Sequence, residues 1–211
     1  LRRHALGILR MLIEKELPLS LDKLIAIGTE EESVVPGVKD ATEELKQFFH
    51  DRLRVMQKDQ GFTAHEVESV IGSEPAILAD VPKRLKAVHD FTSLPEAESL
   101  AAANKRIENI LKKNTLPLAD AVDPALLTEK EEKDLYEAIR TLEPKLEADY
   151  KAGRYEDELR SLAPLKAPVD AFFDKVMVNA EDEALRRNRL TLLNELHKAM
   201  NQVAKLSCLA S

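Results

Sequence analysis

Hydrophobic residues recur every three or four positions along nearly the whole chain, and no segment alternates apolar and polar residues as a half-buried strand would. Leu6, Leu9, Ile13 and Leu17 predict a first helix over about 1–15, and Pro18 with Ser20 opens a short second one to about Ile27. The acidic run GTEEESVVPG, closed by Pro36 and Gly37, reads as a linker. Leu45, Phe48, Phe49, Leu53 and Met56 then form one face of a long helix that Gly61 ends, and Thr63 caps a short helix to Ile71. Ser73 and Pro75 are expected to start the next helix, with Pro82 kinking or splitting it before its end near Phe91. Ser93 with Glu96, and Thr128 with Glu131, stand at capping-box spacing ahead of helices reaching about Lys113 and Tyr150. Pro144 is the weak point of the second, and Gly153 breaks it. A short helix is expected at 155–163, an entry bracketed by Pro164 and Pro168 follows, and a final helix runs from about Glu181 to Leu206. The pattern implies an all-α helical bundle, with residues 1–33 a helical tail of a preceding domain and 38–211 the main domain.

Composition narrows the class. Hydrophobic residues at 44% and charged residues at 33% describe a globular chain, and no apolar run approaches the roughly 20 residues that cross a bilayer. The one cysteine, Cys208, rules out an internal disulfide framework and a cysteine-rich zinc site, and suits a reducing cytosol. The opening LRRHALGILRML lies inside a helical pattern without a methionine, which is expected of a C-terminal piece of a longer protein.

Enzymatic signatures are weak. His50-Asp51 and His89-Asp90 resemble metal-binding dipeptides, but adjacent residues on a helix point to different sides, and the five histidines are spread along the chain. Both dipeptides read as solvated surface, so no metal site is expected. Cys208 lies three residues from an end expected to fray, with no histidine placed to activate it. Glycine loops of phosphate-binding spacing are absent, and the chain by itself is expected to be non-catalytic.

Against a formal net charge of −7, two basic clusters stand out. In AESLAAANKRIENILKKN, Leu100, Ala103, Ile107, Ile110 and Leu111 form an apolar stripe, while Lys105, Asn109 and Lys112 fall on the opposite face with Arg106 and Lys113 beside them. Four cations there oppose the single Glu108, a local charge of +3 between Asn104 and Lys113. The second cluster is Arg186, Arg187 and Arg189. Leu185, Leu192, Leu196, Ala199 and Val203 mark the core side of their helix, so Arg187 points away, Arg186 flanks the core, and Arg189 projects toward it. An arginine so placed needs a partner, and Asp170 or Asp174 on the preceding helix is the expected one.

These same residues carry a family resemblance. LAAANKRIENIL and PVDAFFDKVMVNAEDEALRRNRLTLL resemble the C-terminal part of the β subunit of bacterial α2β2 glycyl–tRNA synthetase. The segments LRRHALGILRMLIEK and FFHDRLRVMQKDQGFTAHEVESVI are similar to the stretches that precede it, and EDEALRRNRL resembles the motif of DALR-type helical anticodon-binding domains. The resemblance implies a cytoplasmic heterotetramer that joins glycine to its tRNA with ATP and Mg, the amino acid being activated by the α subunit. It implies no cofactor in this piece, no DNA and no membrane. Carried onto this sequence, it makes Asn104, Lys105, Arg106 and Asn109, with Lys112 and Lys113 on the same helix, and Arg186 and Arg187, the candidates for RNA contact. Glycine codons begin GG, so the bases to be read are two cytosines, whose edges suit Arg, Lys and Asn. Tyr136, Tyr150 and Tyr155 are the few aromatics expected to be exposed for base stacking. The alternative is a helical module for subunit assembly that makes no anticodon contact.

Overall fold

The computed structural model describes residues 2–32 and 41–210, and within them every element is helical. The chain divides into two compact units, Leu1–Lys86 and Ala87–Ser211.

In the first unit, α1 (Arg2–Glu14) and α2 (Leu21–Glu32) both pack on α3 (Thr42–Asp59), and α3 packs on α4 (Ala64–Ile71). Leu9, Leu12, Leu21, Ile25, Phe49 and Leu53 fill the space between the first three helices. This division differs from the expected tail at 1–33 and domain from 38, because α1 and α2 bury their apolar faces against α3 and share its core. Residues 33–37 of the expected linker lie outside the described residues; its first half, 28–32, belongs to α2, which continues through Gly28. Gly61, at φ +99, ends α3 in a backbone conformation that glycine adopts without strain. A capping box starts α4: the Glu66 N–H donates to Thr63 Oγ1 at 3.2 Å, and the Thr63 N–H to Glu66 Oε2 at 2.7 Å. No helix starts at Ser73 or Pro75. Glu74 takes φ +51, outside the helical region, and a 3₁₀ turn at Leu78–Asp80 precedes α5 (Val81–Thr92). Pro82 therefore sits in the first turn of α5, where its missing N–H costs nothing, and the expected kink is absent.

The second unit is built around α10 (Glu183–Met200), in which the six consecutive residues 188–193 are all buried. A helix covered on all sides needs several neighbours, and α10 has α6 (Ala97–Lys113), α7 (Lys130–Lys151) and the 3₁₀ turn Pro124–Leu126. Three of its polar side chains hold the loop that leaves α6. Asn188 exchanges two hydrogen bonds with the Asp123 backbone at 2.8 and 3.0 Å, Thr191 Oγ1 accepts from Ala119 N–H at 3.1 Å, and Glu195 accepts from Val122 N–H at 3.2 Å.

Three starts and stops depart from the expected ones. α6 opens at Ala97 with no side-chain cap, so the Ser93–Glu96 box does not form. The box before α7 is Glu129 with Glu132, one residue later than expected, and Pro144 lies inside the uninterrupted helix. α10 ends at Met200 because the Asn201 side chain donates to His197 O at 2.7 Å and accepts from Leu206 N–H at 3.0 Å, closing the turn. The 3₁₀ turn Leu206–Leu209 packs on α6, so the segment around Cys208 is docked and not frayed. Behind α7 lie α8 (Tyr155–Arg160) and α9 (Lys166–Lys175), the latter entered through Ala163–Leu165.

Candidate nucleic-acid interface

The outward face of α6 carries Lys105, Arg106, Asn109, Lys112 and Lys113, all exposed. Lys105, Lys112 and Lys113 form no ion pair with any described residue. The lone anion of the segment, Glu108, is turned to the flank. It accepts from His197 at 3.2 Å and faces Lys205 at 3.9 Å, which leaves the outer cations uncompensated. Arg106 is the exception in having a partner: its guanidinium carbon lies 4.2 Å from the ring centroid of Phe173 on α9, a cation–π contact. Ala102, Lys105, Arg106, Asn109, Ile110 and Lys113 line a shallow groove of about 340 Å³.

Asn104 corrects the expectation. Four residues after Leu100 and three before Ile107, it falls on the core side and is fully buried, so it does not face solvent. Neither amide atom has a hydrogen-bond partner among the described residues.

Arg189 has the expected burial and a different partner. At 5% exposure it donates through Nε to Glu132 Oε1 at 2.8 Å and through Nη2 to Glu132 Oε2 at 3.3 Å. It also reaches Met177 O at 2.8 Å and Thr128 Oγ1 at 3.3 Å. One guanidinium thus joins α10, α7 and the turn after α9. The expected carboxylates are elsewhere. Asp170 accepts from Lys166 at 2.6 Å and Ser99 at 3.1 Å, tying α9 to α6, and Asp174 is exposed. Glu132 is inaccessible to solvent, and burial opposes its charge. The hydrogen bond from Arg189, the Glu129 N–H, the Arg189 charge and Thr128 together outweigh burial and hold its carboxyl below the ordinary range.

Arg186 and Arg187 are half-buried and locally engaged. Arg186 Nη1 donates to Ala180 O at 3.2 Å, and Arg187 Nη2 to Glu183 at 3.0 Å, one turn earlier on α10. No hydrogen bond, ion pair or ring contact joins them to the α6 face.

The remaining candidates also differ from expectation. His50 is buried, not solvated, and its imidazole is pushed toward the neutral form by burial and by the charges of Arg54 and Lys46. Asp51 points outward to Gln47 and Arg54. Among the described residues no three His, Cys, Asp or Glu side chains gather so as to hold a metal ion. None of the three tyrosines is exposed; Tyr155 is buried, with its ring 5.8 Å from that of Tyr150. An aromatic beside the cationic face is Phe173. None of the described helices is long and apolar enough to cross a membrane.

An all-helical unit with an uncompensated basic helix face has the form of a nucleic-acid-binding helical domain. The DALR anticodon binding domain family matches residues 100–207, more than half of the sequence, and the chain belongs to that family. The glycyl-tRNA synthetase beta subunit family matches residues 1–72. Curated relatives described as glycine–tRNA ligase beta subunits align over the whole chain. The protein of Delftia acidovorans is 53% identical over 215 residues, that of Dechloromonas aromatica 51% over 211 and that of Nitrosomonas eutropha 48% over 224. The chain spans about 30% of the length of these relatives.

Proposed function

We propose that this chain is the tRNA-holding part of a glycine–tRNA ligase β subunit, and that the outward face of α6 approaches the anticodon. The observation that carries the reading is the cationic set Lys105, Arg106, Lys112 and Lys113, exposed and without acidic partners among the described residues, in a chain of net charge −7. Uncompensated cations at a surface repel one another; a phosphate backbone neutralises them, and its own counterions are released as it binds. Asn109, between the two cationic turns, supplies an amide able to donate to and accept from a base edge. Arg186 and Arg187 contribute less than their charge implies, since one braces the Ala180 carbonyl and the other is paired with Glu183. In the complete enzyme, an α subunit, ATP and Mg would supply glycine activation, in an α2β2 assembly working in the cytoplasm.

Titrating the chain with glycine tRNA at several salt concentrations tests this. Lys105→Ala with Lys113→Ala is expected to weaken binding and to reduce the salt slope by about 2, one for each lysine. Binding that survives both substitutions with its slope unchanged contradicts the assignment. A second reading, a module for subunit assembly, is favoured by an apolar groove of about 410 Å³ in the first unit, between Ile8, Met11, Leu19, Leu24 and Phe49. A chain that binds an α subunit but no tRNA at low salt decides for that reading.

A further inference from the structure

Resting on the reading that α6 docks tRNA, we propose that Arg106 and Phe173 form a stacking platform for one unpaired RNA base. The site lies at the groove that Arg106 lines with Lys105, Asn109 and Lys113. Phe173 is half-buried and Arg106 is exposed, with the guanidinium lying over the ring at 4.2 Å from its centroid. A guanidinium stacked flat on this half-buried ring would present its outer face to solvent, where Arg106 is exposed. A planar cation with one free face takes a nucleobase as readily as an aromatic ring does, and splayed loop bases need such a surface. The tyrosines that sequence offered for stacking are partly or fully buried, so Phe173 with Arg106 is the aromatic element present at this face.

The groove completes the recognition. A base on Arg106 lies beside the Asn109 amide, while Lys105 and Lys113 on its walls suit the flanking phosphates. Contact with Phe173 restricts the Arg106 side chain, which would otherwise sample many rotamers, so part of the ordering cost is met before RNA arrives.

The test uses the anticodon stem-loop of glycine tRNA with a fluorescent base analogue at each loop position in turn: pyrrolocytosine at the two cytosines, 2-aminopurine elsewhere. The chain is expected to quench one position strongly. Arg106→Lys keeps the charge and removes the plane, so it should abolish that quenching and weaken binding by about fivefold or more, with the salt slope unchanged. Phe173→Leu, checked for folding by thermal melt, should act in the same direction. If Arg106→Lys keeps both quenching and affinity while Lys105→Ala and Lys113→Ala weaken binding, the stacking site is wrong and the docking face stands. If the unaltered chain binds no stem-loop at low salt, the docking face fails, and the platform fails with it.

Discussion

Replacing Arg189 with methionine removes four hydrogen bonds and leaves the Glu132 carboxylate buried without its cation. Breaking a buried pair from one side typically costs about 3–5 kcal/mol. Glu132 can escape by taking up a proton. From an ordinary value near 4.3, that costs about 1.4 kcal/mol per pH unit, or about 4 kcal/mol at pH 7, which caps the penalty from the charge. A loss of about 3–4 kcal/mol at pH 7 should lower the melting temperature of the second unit, residues Ala87–Ser211, by about 11–15 °C. The pH dependence carries the sign. In the unaltered chain Glu132 titrates below the ordinary carboxyl, so the folded state holds fewer protons than the unfolded one. The pair's contribution is then complete above about pH 4.3 and fades as pH falls through the lowered value. In Arg189→Met the unpaired carboxyl is raised instead, so the deficit should narrow from pH 7 to pH 5. Denaturant melts at both pH values, with Glu132→Gln and the double variant closing a cycle, measure this. A single Arg189→Met variant within 0.5 kcal/mol of the unaltered chain, or an equal loss in Asp174→Asn, would refute the assignment of Glu132 as the partner.

Further outcomes follow from the same structure. Asn104→Leu removes an amide that is buried without partners, and is expected to raise stability by about 1 kcal/mol in a thermal melt while leaving tRNA affinity unchanged; weakened RNA binding would return Asn104 to the interface. Asp149, held below its ordinary range by Lys145 and then Arg154 against opposing burial, clips the end of α7, so Asp149→Asn should cost about 1–2 kcal/mol at pH 7 and the difference should vanish as pH falls through its lowered value. Arg187→Ala loses only an exposed pair with Glu183 and should leave stability within about 0.5 kcal/mol in the same melts.

The helical nature of the chain was legible because a 3.6-residue period survives nearly everywhere and strand alternation does not. Which helices share a core was not. Periodicity marks the face that α1 and α2 bury but not what covers it, and both lie on α3 across the expected boundary. Several ends were missed for local reasons, such as the positive φ of Glu74 and the side-chain closure by Asn201, neither of which has a composition signal. At the site, the need of Arg189 for a buried partner could be read from its place on the leucine stripe. The partner could not, because Glu132 lies 57 residues away and only the packing of α7 on α10 brings it near. Asn104 was legible and misread: its spacing from Leu100 and Ile107 is a core spacing, outweighed by its polar chemistry and basic neighbours. Phe173 had no signal for a surface role, since it shares an apolar run with Phe172, which is fully buried.

Equilibrium binding of two tRNAs measures whether the α6 face meets the anticodon. The first is glycine tRNA, and the second is the same molecule with its two anticodon cytosines replaced. The replaced tRNA should bind at least about tenfold more weakly at moderate salt, the discrimination of one well-placed hydrogen-bonded pair. Lys105→Ala with Lys113→Ala should weaken both alike. Equal affinity for the two tRNAs in the unaltered chain would contradict anticodon reading by this face.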